Sequence, residues 1–478
     1  MKSRLLFNIL SSGLLALLAM TVRVVAQEAQ QAKVDPPPHY TVIDLGPAGS
    51  PFSQATFVID NGLVTGVETA PDGTQHAVLW YRGQTTDISK PGLGGSNSGA
   101  GGANLFGQVI GGAETSNTDT NNENFCGYGT GLQCLAFLWQ NGVMVPLPTL
   151  GGTNSGYGQI NNRGEVAGYA ENSTRDPDGC AVALNGTGPQ VLDFEPVIWG
   201  PRPGEIRELH PLPGDTVGVA FSINDSDQAV GMSGLCSNTV LPGPSAGPHA
   251  VLWEKDGSVH DLGNLGGTSN PALLAVGNAA LSINNKGQVA GVSALPESKI
   301  TGCPGVPPNP LCFPFHPFMW TREMGMRDLG VLAGDFVGAG LGINNKGEIV
   351  GPSFPAPGPS GASPRAFLWR NGVMTDLNTL VSMDSPLYLL LADGINDAGQ
   401  VVGFGFNTTT GEVHGFLATP CAANHADTDW CKGSADGAGA EPTVTTARPR
   451  PSLSENARRQ LQNAMRFRLT GAQSTEPQ

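Results

Sequence analysis

The sequence predicts an all-β protein: a seven-bladed β-propeller of four-stranded blades, closed by an N-terminal strand and followed by a short C-terminal helix. Three observations predict it. Glycine (67 residues) and proline (38) are abundant while charged residues make up only 14%, a composition suited to short strands and many turns. Short phrases recur along the chain in fixed order. One of them has a surplus copy at the start that matches a deficit at the end.

Taken from the N-terminus, "MKSRLLFNILSSGLLALLAM" sets Lys2 and Arg4 before an apolar run, with "VVA" at 24–26 as a small-residue cleavage site. This pattern predicts a signal peptide over 1–26, hence secretion to the extracellular, periplasmic or cell-surface space, and no membrane span after cleavage. A linker, 27–39, follows. Removing 1–26 takes away Lys2, Arg4 and Arg23 and no acidic residue, so the formal charge of −15 becomes −18. A surface of that sign repels polyanions, so no nucleic-acid partner is expected.

Residues 40–420 carry the repeat. The first phrase is "HAVLW" (76–80), "AFLW" (136–139), "PVIW" (196–199), "HAVLW" (249–253), "HPFMW" (316–320), "AFLW" (366–369) and a degraded "HGFLA" (414–418). A second phrase follows the first six copies after a short turn: "TTDI", "MVPL", "IREL", "VHDL", "MRDL" and "MTDL". Its seventh copy, "VIDL" at 42–45, has no first phrase before it. Next come glycine-rich links such as "LGG" (150–152) and a third phrase, typified by "INNKGQVAG" (283–291) and "INDAGQVVG" (395–403). Asn-x-x-Gly there splits two β-prone runs, a hairpin signal. Four short strands cannot bury both faces alone, so seven units pack radially, and "VIDL" supplies the outer strand that the last blade lacks. Trp80, Trp139, Trp199, Trp253, Trp320 and Trp369 recur at one strand position and are expected to fill the space between blades. Ala418 takes that place in the last blade, where packing should differ.

The phrases "HAVLW", "GVM", "DL", "LGG" and "INNKGQVAG", in this order over about residues 40–418, resemble the bacterial extracellular HAF-repeat family. The literal His-Ala-Phe trio is absent. The resemblance implies an exported, repetitive β protein and no established activity.

Because adjacent strands alternate direction, the tight turns share one face of the disc, and the "LGG" links share the other with the long insertions 112–135, 169–195, 232–248 and 292–315. His76, His249, His316 and His414 begin the third strand, and Asp87, Asp261, Asp328, Asp376 and Asp44 end the fourth, so both sets reach the loop-rich rim. A repeated His-Asp pair reads first as a structural hydrogen bond and second as acid-base machinery. The repeated asparagines, Asn161, Asn224, Asn284, Asn344 and Asn396 among them, read as turn formers. Eight cysteines in an exported chain predict four disulfides: Cys126–Cys134, Cys303–Cys312 and Cys421–Cys431 from proximity, and Cys180–Cys236 by elimination and neighbouring loops. "GPSAG" (243–247) matches G-x-S-x-G without the strand-to-helix setting of a nucleophile elbow. The acidic stretches 119–124 and 175–179 read as solvated surface, with structural calcium the lesser reading, and no cofactor is expected.

After 420 a disulfide loop (421–431), a linker (432–451), an amphipathic basic helix (452–469, with Ser452 and Glu455 as a capping box) and a tail (470–478) complete the chain. The function expected is a monomeric scaffold that binds an extracellular protein or neutral glycan through its loop-rich face without catalysis. The alternative is an extracellular propeller lyase or hydrolase using His and carboxylates near the central channel.

Overall fold

The computed structural model describes residues 37–46, 50–180, 190–235, 248–267, 278–296, 315–355, 363–421 and 448–461, with side chains 176–180 excepted. The chain divides at Pro38, and all that follows concerns His39 onward. Seven antiparallel sheets form a ring, six of them running from an inner to an outer strand in chain order. Blade one is typical: Ser53–Val58, Val64–Thr69, Gln75–Tyr81 and Gln84–Asp87. Blade seven takes Leu387–Ile395, Val401–Asn407 and Val413–Pro420 from the end of the repeat, and its outer strand is Tyr40–Asp44. Tyr40 pairs with Pro420 and Asp44 with Phe416, so the two ends of the repeat lie in one sheet. In blade six the inner strand is broken into Val337–Gly338 and Gly342–Ile343.

Four letters of "INNKGQVAG" have a physical reason in the structure: Asn284, Gly287, Gln288 and Gly291. Asn284 Oδ1 accepts from the backbone N–H of Lys286 and of Gln288, both at 3.0 Å, and Gly287 turns the chain at φ +72°. Asn284 Nδ2 donates to Gln288 Oε1 (2.8 Å) and to the carbonyl of Asn344 in the next blade (2.8 Å). The final glycine lies under a β-bulge of the inner strand. At Gly66, Gly111, Gly168, Gly231, Gly291, Gly351 and Gly403 a Cβ would overlap the carbonyl oxygen of the bulged strand.

The tryptophans pack on the preceding blade. Trp199 joins Ile110, Ala136 and Leu147 of blade two, and its Nε1 donates to the Pro148 carbonyl at 2.8 Å. Trp253 does the same against blade three, donating to the His210 carbonyl at 2.8 Å. Trp139 and Trp320 are half-buried, and Phe137 and Phe318, two residues earlier on the same strand face, are fully buried instead. Blade seven is packed differently: Ala418 leaves the volume to Phe416, which meets Val350, Ala366 and Leu368 of blade six.

Among the described residues, the insertions of blades two and three extend their sheets: in blade three one hairpin runs along Val166–Cys180 and Gln190–Trp199. The C-terminal helix is described over 455–461 and docks on the loop-rich face, where Leu453, Ala457 and Leu461 pack with Phe52, Tyr388, Phe406 and Val413. Its cap is Ser454 rather than Ser452, because Ser454 Oγ is the acceptor within reach of the Ala457 N–H (3.1 Å). Residues 462–469 lie outside the described residues. Arg448 ties the segment down through the carbonyls of Ser385 and Leu387, and Arg450 through Asp335. Among the described residues no helix is long and apolar enough to cross a membrane.

Candidate functional site

On the loop-rich face each rim histidine meets its aspartate. His76 Nδ1 lies 2.9 Å from Asp87, His249 Nδ1 3.1 Å from Asp261, His316 Nδ1 2.8 Å from Asp328 and His414 Nδ1 2.9 Å from Asp44. Each carboxylate also accepts from the backbone two residues on, through its second oxygen in Ser89 N–H to Asp87 (2.8 Å) and Gly263 N–H to Asp261 (2.8 Å), and through the oxygen that meets the histidine in Gly330 N–H to Asp328 (2.8 Å). Each aspartate thus ties the outer strand to the third strand and to the link that follows, a structural duty repeated from blade to blade. The Asp261 hydrogen bond holds His249 above the ordinary imidazole range, and His249 in turn holds Asp261 low. Burial opposes charge on His414, yet its bonds to Asp44 carry its pKa above the ordinary value.

The remaining blades depart from this pattern. Asp376 has Arg365 as partner at 3.1 Å, since arginine stands where other blades have histidine. Blade two has Leu135 and Pro146 at the two positions, so neither charge is present. Blade three has Glu195 and Glu208, two carboxylates. Burial, reinforced by Glu208 and Asp193, pushes Glu195 up to about 8.

The insertion of blade two is built into the disc. Cys126 and Cys134 are bridged, with Cα atoms 5.9 Å apart. Cys421 is also disulfide-bonded. Cys236, Cys303, Cys312 and Cys431, the side chain of Cys180, and the GPSAG stretch lie outside the described residues.

The acidic side chains of the stretch 119–124 are not solvated, although Thr120 and Asn122 between them are exposed. Asp119 and Glu123 are 4% and 1% exposed, because the insertion folds over blade three and offers them donors there. Glu123 Oε1 accepts from the backbone N–H of Val191 (2.6 Å) and Leu192 (2.9 Å), and Asp119 from Asn154 Nδ2 (2.6 Å). Glu171, fully buried, accepts from Gln190 Nε2 (2.9 Å) and from the Asn154 N–H (2.8 Å). Burial pushes Glu171 and Glu123 above the usual carboxyl range. Among the described residues no group of three or more His, Cys, Asp or Glu has the arrangement of a metal site.

Phe125 of this insertion lies 5.4 Å from Tyr169, ring to ring, and joins Phe194, Val219, Leu281, Phe315 and Ala339 in one apolar cluster. The inner strands line a cavity of about 160 Å³. Its described lining contains Asp393 and no histidine, so the rim pairs stand apart from the channel.

Sequence reasoning read the asparagines as turn formers and missed their second task. Asn104, Asn161, Asn224, Asn284, Asn344 and Asn396 each donate Nδ2 to a carbonyl of the next blade, the last reaching Ile59. A second belt runs beside it, in which the backbone N–H of Asn162, Asp225, Asn285, Asn345 and Asp397 donates to the side chain of the next blade's equivalent.

The chain matches no known family model and no curated protein. Among solved structures it is similar to a puromycin-hydrolysing peptidase of Mycobacterium tuberculosis, at 14% identity over 79% of this chain and 56% of that one (TM-score 0.43). It is similar also to the Pyrococcus horikoshii acylaminoacyl peptidase, at 10% identity over 79% and 54% (TM-score 0.44). An oligogalacturonate lyase in complex with manganese gives 12% identity over 82% and 99% (TM-score 0.43). The chain spans about half the length of the two peptidases, and no activity passes from any of the three to this chain.

Proposed function

We propose that this propeller is an exported, HAF-like repeat scaffold that binds a neutral glycan through the blade-two side of its loop-rich face, without turning it over. The observation that carries this reading is the chemistry of the blade-two insertion and the strand ends that bear it. Its exposed side chains, Ser116, Asn117, Thr118, Thr120, Asn122 and Thr130, are all uncharged amides and hydroxyls. Such groups exchange hydrogen bonds with sugar hydroxyls. The backbone beneath them is held by a disulfide and by buried Glu123, so little ordering entropy is lost on binding. A protein of net charge −15 also disfavours acidic polymers. The rival, a lyase or hydrolase, needs a base in the channel, whereas the rim histidines are engaged with their own aspartates.

The test is calorimetric titration of the full chain with neutral and with uronate-containing oligosaccharides, together with chromatography of the mixture for cleavage products. Saturable binding of a neutral oligosaccharide, weakened about tenfold or more by Asn117→Ala with Thr118→Ala, supports the reading. Binding confined to the acidic oligosaccharides, binding unchanged by the two substitutions, capture of a protein alone, or release of shortened products overturns it.

A further inference from the structure

We propose that the chain pairs with a second copy of itself through an uncharged, apolar corner of blade two, formed by Leu105 and Phe106 on its tight turn and Val143 and Val145 on its outer strand. Blade two is built from Gly94–Ala103, Val109–Thr118, Leu132–Gln140 and Val143–Pro146. From 94 to 147 it holds three charged side chains, Glu114, Asp119 and Glu123, and all three are buried. Its exposed surface therefore carries no charge, in a chain whose net charge is −15. Four of the nine large apolar side chains that stand exposed among the described residues belong to it, where an even spread over seven blades would give one or two.

The corner breaks the repeat on both of its sides. After the turn asparagine, blades three, five and six have Asn162-Arg163, Asn285-Lys286 and Asn345-Lys346, whereas blade two has Leu105-Phe106. On the outer strand Val145 pairs with Leu138, and five of the six other blades set a polar or charged residue at that position, Arg207, His260 and Arg327 among them. The two sides meet. Gln140 Nε2 donates to the Phe106 carbonyl at 3.4 Å, and Gln140 pairs with Val143, so turn and strand adjoin. Val143 and Val145 alternate with buried Met144 and so share one face of the strand. Arg163, on the next turn of the ring, is paired with Glu165 at 2.7 Å.

A second copy is the occupant that this chemistry favours. Two copies of an acidic chain repel, and the repulsion is least where the surface carries no charge. A charged partner would find no counter-ion on this corner, whereas an equal apolar patch needs none. Contact about a two-fold axis asks only that the patch match itself, Phe106 of one copy lying against Val143 and Val145 of the other. At their exposures the four side chains offer of the order of 300–400 Å² of apolar surface, the size of the largest patch on a typical monomer. A standard interface buries about 800 Å² on each partner, a little over half of it apolar, so the corner supplies most of that share. Pro146, without a backbone N–H, blunts the free edge of the outer strand, so side chains make the contact rather than strand pairing.

The experiment is sedimentation equilibrium of the full chain between about 1 and 200 µM, in about 10 and about 150 mM sodium chloride. Expected is a reversible monomer–dimer equilibrium with a Kd of the order of 10 µM. It should be several-fold tighter at the higher salt, where the Debye length falls from about 30 to about 8 Å and the charges of the two copies are screened. Phe106→Ser with Val143→Thr should weaken the dimer about tenfold or more while leaving the melting temperature at about 1 µM unchanged, because both side chains stand in solvent. Leu105, whose N–H donates to Asn162 Oδ1, stays in place. Met324→Ser with Met383→Ser, exposed elsewhere on the ring, should leave the dimer as it was. A monomer at every concentration, mass growing beyond two copies, or a dimer that loosens as salt rises overturns the inference. So does a dimer that survives the blade-two pair, one lost with the methionine pair, or capture of phosphatidylcholine vesicles by a chain that stays monomeric. Glycan binding is independent of it: Asn117 and Thr118 lie toward the loop-rich face and this corner at the tight turns, so either can fail alone.

Discussion

Asp44→Asn tests the closure of the ring at the part-buried pair that ties the N-terminal strand to the third strand of blade seven. The perturbation is small, because asparagine keeps an oxygen to accept from the Gly46 N–H, 2.9 Å from Asp44 Oδ1 in the native chain. What it removes is the charge facing His414. The His414 side chain is 4% exposed and that of Asp44 23%, while the equivalent pair of blade one, His76 and Asp87, is 16% and 42% exposed.

A fully buried pair costs about 3–5 kcal/mol when broken and an exposed one about 0–1 kcal/mol. Asp44→Asn should therefore cost about 2–3 kcal/mol and Asp87→Asn under about 1 kcal/mol. The sign of the pH dependence follows from His414, whose pKa is raised in the folded state. Its contribution is complete below the unfolded value of 6.5 and is lost as pH rises through the folded value, so the penalty is larger near about pH 5.5 than near about pH 9. The assay is denaturant unfolding at both pH values, followed by tryptophan fluorescence. Equal penalties for the two variants, or a penalty that grows with pH, would refute the assignment of closure to this pair.

Three further outcomes are expected. Trp199→Phe should cost about 1–2 kcal/mol more than Trp80→Phe, measured by the same unfolding assay. Trp199 Nε1 serves the Pro148 carbonyl of the preceding blade, whereas Trp80 Nε1 has no protein partner. Glu195 holds a proton in the folded chain up to about 8 and releases it near 4.5 when unfolded, so its share of stability falls as pH rises between those values. Glu195→Gln should flatten that slope, and Glu195→His, which sets with Glu208 the pair of other blades, should keep a fall with pH but move it to above about 6.5, where a raised imidazole loses its proton; an unchanged slope in melting temperature against pH for Glu195→Gln excludes this group. Cys126→Ser with Cys134→Ser should speed protease nicking within 119–131 while leaving the propeller's melting temperature within a few degrees, since the Glu123 contacts remain.

What the sequence made legible was whatever repeats. The blade count, the strand order and the outer strand drawn from the N-terminus follow from phrase order, because the same burial problem is solved seven times. The partners at the rim followed too, since His and Asp recur at fixed positions in "HAVLW" and "VHDL". Contacts whose partner is a backbone carbonyl stayed hidden, as with Asn284 and the next blade, because no side-chain pattern reports them. So did the burial of Asp119 and Glu123, which depends on an insertion folding onto another blade. The two carboxylates of blade three did leave a signal: aligning "EPVIW" with "HAVLW" and "IREL" with "VHDL" sets Glu195 and Glu208 where His and Asp belong. Asp393 left one as well, standing in "LADGIND" where "AALSINN" has Leu281.

In a ring of equivalent blades a device needed once must break the repeat, and the belts at the tight-turn face show where this ring is weakest. Both belts pass intact through the join of the chain ends, where Asn396 Nδ2 reaches the Ile59 carbonyl (3.1 Å) and the Asp397 N–H reaches Asp60 (2.8 Å). Both fail one blade further on. Ile59 has no amide to offer Asn104, and Leu105 has no oxygen to offer the Asp60 N–H. Leu105 and Phe106 are 50% and 69% exposed at this seam. The ring should therefore open between blades one and two before it opens at the topological closure, and amide exchange should be faster for Asp60 than for Asp397. Leu105→Asn restores the missing acceptor at an exposed site and should stabilise the chain by about 0.5–1.5 kcal/mol while slowing exchange at Asp60. If the substitution leaves both quantities unchanged, the belts follow from blade packing and contribute nothing to holding the ring shut.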